Sequence, residues 1–274
     1  MSKSRRKAGS GWVWRETLRQ TRRQLVRRTG RRIIKRAAHL MTRQSLVADR
    51  PVHDAQGFPF IAAIEADWCK IRLELDELLK HRARLPSFHE ISPDQQYISH
   101  GDHWKVFILY GFGVPSERNC NRCPETARLL RSVPGLQSAW FSILSPHYHI
   151  PEHRGVTKSL LRAHLGLVIP KERDRCTMRV GDQMVHWEPG KCVVFDDFFR
   201  HEVWNDTDEE RVVLIFDFER PMRLVGRMVN RFLMWGIKRT AYFQDAKRNL
   251  KTWDERLEAA VETADNMLDE PAPK

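Results

Sequence analysis

Short runs of β-branched and aromatic residues, separated by turn residues, dominate the middle of the chain. The spacing predicts strands over 104–110, 139–144, 161–169, 176–180, 183–187, 191–195, 201–205 and 211–218, with turns at Gly181-Asp182, Pro189-Gly190 and 206–210. No long helical pattern interrupts the run from 139 to 218, so an antiparallel sandwich or jelly roll is expected rather than a parallel α/β sheet. Before it, Ile64, Trp68, Ile71, Leu75, Leu78 and Leu79 recur at helical spacing and predict one amphipathic helix over 61–81. After it, the period becomes helical again. Arg220, Arg223, Arg227, Arg231 and Lys238 fall on one face, with Val225, Met228, Val229, Phe232 and Leu233 roughly opposite. Such a segment packs on the body with its arginines in water, or docks on a membrane. A charged helix over 247–264 and a loose tail, 270–274, follow.

Charge changes this picture at one end. The 274-residue chain carries 47 Lys and Arg against 35 Asp and Glu, and residues 1–43 hold 15 of the former beside one acid, Glu16. That arm is therefore +14, while the remainder, with 32 basic and 34 acidic residues, is −2. Trp14, Leu18, Leu25, Val26, Ile33, Ala37 and Leu40 recur along it at near-helical spacing, interrupted by Gly30. A disordered basic tail, a helix lying on anionic headgroups and an arginine-rich presequence are all compatible with the arm. Nucleic acid is the weaker partner, because no base-reading motif accompanies the charge. Three parts are expected: a basic arm (1–50), a domain with a helical beginning and a β core (51–220), and a helical extension (221–274). No apolar run reaches the ~20 residues that span a bilayer. Five cysteines without a secretory signal suggest a cytoplasmic protein, peripheral on the inner face of the membrane if the arm binds lipid. Cys120 and Cys123 form a CxxC pair with no second pair to complete a zinc site, and Pro124 after them marks a helix start, so they are expected to be structural.

The chemistry concentrates in 141–218, which holds His147, His149, His153, His164 and His201 together with Arg162 and Arg211 inside apolar segments. An arginine in such a setting needs an anion, and histidines on strands suggest a metal. His153 is placed in a loop between strands and His201 at the start of one. Arg211, at the head of a strand, suits a carboxylate clamped by two hydrogen bonds.

In order along the chain, FSIL, H-x-G at His153–Gly155, RAHLGLVIP, WEPGKCVVFDD, HEVWND and R…DFERP resemble the aspartyl/asparaginyl β-hydroxylases and their bacterial relatives that hydroxylate lipid acyl chains. The resemblance is close over about 80 residues, 142–221, and looser from about Phe58. It implies a double-stranded β-helix and an Fe(II)/2-oxoglutarate-dependent dioxygenase that uses O2 to hydroxylate an unactivated C–H bond. It further implies that His153 and His201 bind iron, and that Arg211 holds the far carboxylate of 2-oxoglutarate. Ser142, Arg162 and His164 would be additional cosubstrate contacts, and His147 and His149 mouth residues facing substrate. The substrate is a membrane lipid acyl chain or, alternatively, a peptidyl Asp or Asn. Gly155 stands where many such sites carry a third, acidic ligand. Glu152 and Asp197 are near in sequence but not at that position, and the gap also resembles the 2-oxoglutarate halogenases. A jelly-roll binding module without catalysis would bind neither iron nor cosubstrate.

Overall fold

The computed structural model describes residues 36–92, 95–155 and 157–237. Most of the basic arm, residues 93–94 and 156, the charged helix and the tail lie outside them. The order is α1 (36–44), β1 (Val52–His53), α2 (Pro59–Ala66), α3 (Trp68–Leu79), α4 (Phe88–Ile91), β2 (Trp104–Gly111), β3 (Val114–Pro115), α5 (Glu117–Arg122) and α6 (Pro124–Arg131). Then come β4 (Leu136–Leu144), β5 (Tyr148–His153), β6 (Leu160–Val168), β7 (Cys176–Val180), β8 (Gln183–His186), β9 (Cys192–Phe195), β10 (His201–Asn205), β11 (Arg211–Glu219) and α7 (Leu224–Ile237).

Alternation along the strands builds two layers. In β11, Val212, Leu214, Phe216 and Phe218 join the core beneath the helices, where Ile64, Ile71, Leu75 and Leu130 pack. Val213 and Ile215 join the other core, with Trp140, Met178, Trp187, Phe195 and Val203. A seven-stranded sheet in the order β1-β9-β6-β11-β4-β2-β3 thus faces a four-stranded sheet, β5-β10-β7-β8. Every named pairing is antiparallel. The fold is the expected jelly roll. Trp140, Ser142 and Leu144 of β4, Arg162 and His164 of β6, and Arg211, Val213 and Ile215 of β11 face the inter-sheet space, and the residues that alternate with them face the helices.

Three local features differ from the expectation. The helix expected over 61–81 is two, because Asp67 leaves the helical region (φ −100°, ψ 13°) and its carboxylate binds Lys70 and Arg128. Residues 148–153 form a strand, not a loop. Short β1 and β3 extend the large sheet. The CxxC pair is structural, as expected: Cys120 and Cys123 are buried and form no disulfide, and Pro124 opens α6.

Gly166 locks the turn that follows β8 onto the large sheet. Its N–H donates to the Lys191 carbonyl (3.0 Å), and its carbonyl accepts from Gly190 N–H (2.8 Å). A Cβ built on Gly166 would overlap the Glu188 backbone. Gly166→Ala is expected to cost about 1–3 kcal/mol, as overpacking does. Gly57→Ala, where a Cβ would meet nothing within 4 Å, is expected to stay within ~0.5 kcal/mol. Urea unfolding of the two variants checks the difference.

Candidate active site between the sheets

A cavity of about 580 Å3 lies between the sheets, and Ser142, His153, Arg162, His164, His201 and Arg211 all line it. Strand parity brings the large-sheet members together. Register pairs Ile215 with His164 and Arg162 with Asp217 across β6 and β11, and Val213 with Ser142 across β4 and β11.

Arg211 is 1% exposed, and its Nε and Nη1 have no hydrogen-bond partner. Its guanidinium lies 4.7 Å over the Trp187 ring. Burial pulls its pKa down to about 10. Nearby, both ring nitrogens of His164 and Nε1 of Trp187 are buried without partners. His164 is held far below its usual pKa, first by burial and then by Arg211, so its ring is neutral. Ser142 Oγ accepts from Trp104 Nε1 at 3.0 Å. A desolvated cation surrounded by unused polar atoms is costly unless an anion completes it.

The two histidines come from the small sheet. His201 pairs directly with His153, and Val203 with Ile150, so β5 has one residue more than β10 between the pairs. That bulge reverses the parity of β5 and turns His153 to the same side as Tyr148 and Ile150. The rings lie 4.2 Å apart, centroid to centroid. Nδ1 of His153 donates to the Pro151 carbonyl (2.8 Å) and Nδ1 of His201 to the Phe199 carbonyl (3.0 Å). A carbonyl can only accept, so each Nδ1 carries hydrogen and, in the neutral ring, each Nε2 presents a lone pair. Burial, then the neighbouring His201, lowers the His153 pKa to about 4, and burial also lowers that of His201.

The space beside Gly155 is filled. A Cβ there would lie on the Asp197 carboxylate, and Gly155 N–H donates to the Asp197 carbonyl at 2.7 Å. Asp197 Oδ1 stands 3.3 Å from His201 Nε2 and 2.7 Å from Arg162 Nη1. Burial works to raise the Asp197 pKa, but Arg162, followed by the two histidines, outweighs it and holds the carboxylate ionised. Arg162 in turn binds Asp217 through Nε (2.7 Å) and Nη2 (3.0 Å). One residue before Asp197, the fully buried Asp196 is fixed by Lys158 (2.6 Å) and Arg220. Asp197 is the residue that sequence reasoning named but set aside. Its signal was a glycine two residues after one histidine together with an aspartate four residues before the other.

The remaining histidines point elsewhere. His147 meets Asp208 at 2.7 Å, and His149 meets Glu202 at 3.1 Å and stacks on Trp204; all are on the outer face, away from the cavity. Glu152 binds Arg179 and Arg200 there. Among the described residues, no three His, Cys, Asp or Glu side chains alone enclose a metal position. The cavity instead offers two imidazole Nε2 lone pairs with a carboxylate against one of them, a donor set suited to a divalent first-row metal.

Residues 65–221 match the family described as Aspartyl/Asparaginyl beta-hydroxylase. A Rhizobium tropici protein named ornithine lipid ester-linked acyl 2-hydroxylase is 41% identical over 234 residues, which cover 85% of this chain and 83% of that protein. The human aspartyl/asparaginyl beta-hydroxylase is 37% identical over 134 residues, 47% of this chain but 17% of its own length. Among solved structures, a Pseudomonas putida prolyl-4-hydroxylase aligns with a TM-score of 0.38 and 18% identity, covering 60% of this chain and 100% of its own. With more than half of its residues matched by the family and a relative aligned along most of both chains, this chain belongs to the aspartyl/asparaginyl β-hydroxylase family.

Proposed function

We propose that this hydroxylase is an Fe(II)/2-oxoglutarate-dependent dioxygenase that hydroxylates the acyl chain of a membrane lipid, next to its carbonyl. The observation that carries the reading is the pairing, in one cavity, of Nε2 lone pairs on His153 and His201 with the anion-seeking Arg211. His153 and His201 would hold the iron, with Asp197 beside them. Arg211 would clamp the far carboxylate of 2-oxoglutarate, with His164 and Ser142 next to it. When bound, the iron with 2-oxoglutarate and O2 supplies the oxidising power needed at an unactivated C–H bond. Arg162 keeps Asp197 ionised and in place, because its guanidinium is already shared between Asp197 and Asp217.

An acyl substrate is supported by the wall of the cavity, where Ile91, Ile98, Trp104, Ile108, Trp140 and Ile215 exclude water from the reacting carbon. The lipid-acting relative also matches far more of the chain than the peptide-acting one. The +14 arm would hold the protein at an anionic bilayer. Among the described residues no helix is long and apolar enough to cross a membrane.

Mass spectrometry of lipids and proteins from cells with and without the gene tests the substrate. A one-oxygen difference on a lipid acyl chain is expected; the same difference on Asp or Asn of a protein assigns peptidyl hydroxylation instead. His201→Ala is expected to abolish substrate-coupled succinate formation, and retained turnover would remove His201 from the iron. Arg211→Ala should weaken 2-oxoglutarate by about 2–5 kcal/mol, the usual cost of truncating one side of a buried charge pair. Titration of the Mn(II)-loaded protein with 2-oxoglutarate measures it. Gly155→Ala, by displacing the Asp197 carboxylate, is expected to lower Mn(II) affinity about 10–100-fold, as loss of an outer-shell partner does; an unchanged titration would separate Asp197 from metal binding.

A further inference from the structure

α7 turns its small and polar positions inward and its large apolar ones outward. Gly226 sits so close to α1 that a Cβ on it would lie 2.7 Å from Cβ of Gln44. Asn230 and Met234, one and two turns further on, are 2% and 9% exposed, and Met234 lines the cavity between the sheets. At ~100° per residue the opposite side carries Leu224, Val225, Met228, Phe232 and Trp235. These are 64%, 54%, 63%, 70% and 53% exposed, and Phe232 and Trp235 stack at 5.7 Å. A contiguous apolar row of this kind marks an interaction surface. Of the two arrangements expected for this segment, it departs from the one that packs the apolar side on the body.

Charge identifies the occupant. Arg227 and Arg231 are exposed along one border of the row, and Arg223 is exposed just before it. Residues 221–244 contain five Lys or Arg and no Asp or Glu. A second copy seated on this face would bring the same arginines together, and the part of the arm before α1, residues 1–35 at +12, would meet like charge. A surface that is anionic outside and apolar within satisfies both halves of the face, with Trp and Phe at the boundary and arginines among the headgroups.

We infer that α7 seats the protein on an anionic bilayer, with Val225, Met228, Phe232 and Trp235 in the acyl boundary. The cavity shares Met234 with this helix, so seating α7 would hold the cavity close to the leaflet that supplies the acyl chain. The seating stands on α7; its purpose rests on the lipid reading proposed above.

The test uses the full-length protein and phosphatidylcholine vesicles with and without phosphatidylglycerol. Met228→Glu/Phe232→Glu is expected to lower partition into the anionic vesicles by roughly tenfold or more, since it takes two apolar side chains out of the acyl boundary and sets two carboxylates among anionic headgroups. The same variant should keep the wild-type Mn(II) and 2-oxoglutarate titration. Brominated lipids should quench the wild type more than Trp235→Phe, which reports insertion of this helix rather than of the arm. Unchanged partition in the double variant, or equal quenching with and without Trp235, overturns the proposal and assigns attachment to the arm. A dimer in sedimentation that Phe232→Glu dissociates also overturns it, because a second copy then covers the face. If the wild type seats through α7 but adds no oxygen to any lipid, the seating stands and the lipid-substrate reading falls.

Discussion

Two arginines share one cavity and are treated in opposite ways. Arg162 is bracketed by Asp197 and Asp217, while Arg211, the more deeply buried of the two, has a tryptophan face and unbonded polar atoms around it. Leaving a guanidinium desolvated costs several kcal/mol, and a fold keeps such a cost only where its surroundings over-determine the side chain. Here the strand parity of β11, the Trp187 wall and the Gly166-locked turn behind it do so. That imbalance makes the site chemically polarised. One end already pairs its cation with two carboxylates, and the other is a preformed deficit of negative charge.

The histidine end depends on backbone detail rather than on composition. One additional residue in β5 brings His153 round to His201, and backbone carbonyls two residues upstream fix both rings in the same tautomer. Asp197 reaches the pair from the β9–β10 connection, which the Asp196, Lys158 and Arg220 cluster pins from behind. The carboxylate therefore comes from the second histidine's strand, and Gly155 on the first histidine's side makes room for it.

These origins explain what could be read in advance. The strands of the large sheet were legible because period-two alternation between two apolar cores leaves a plain signature, and Arg211 interrupts one of them visibly. The pairing of His153 with His201 came through resemblance, since nothing in composition links positions 48 apart. The strand 148–153 was hidden: Pro151 and the charged Glu152 interrupt it, and a bulge breaks its alternation. Asp197 was set aside because its relation to Gly155 is a through-space exclusion with no fixed spacing. For α7 the period was evident, but which side met the body depended on Gly226 fitting against α1.

Placing the anchors on different layers has a consequence for selectivity. The histidines belong to the four-stranded sheet and Arg211 to the seven-stranded one, so the span between them is the thickness of a packed interior. Face-to-face sheets keep a separation of roughly 10 Å because interdigitating side chains resist compression. Trp187, Phe195 and Met178 are the spacers here. On the proposed function, the core itself is the calliper that measures the dicarboxylate, and altering a spacer far from the reacting atoms would retune which chain length is accepted.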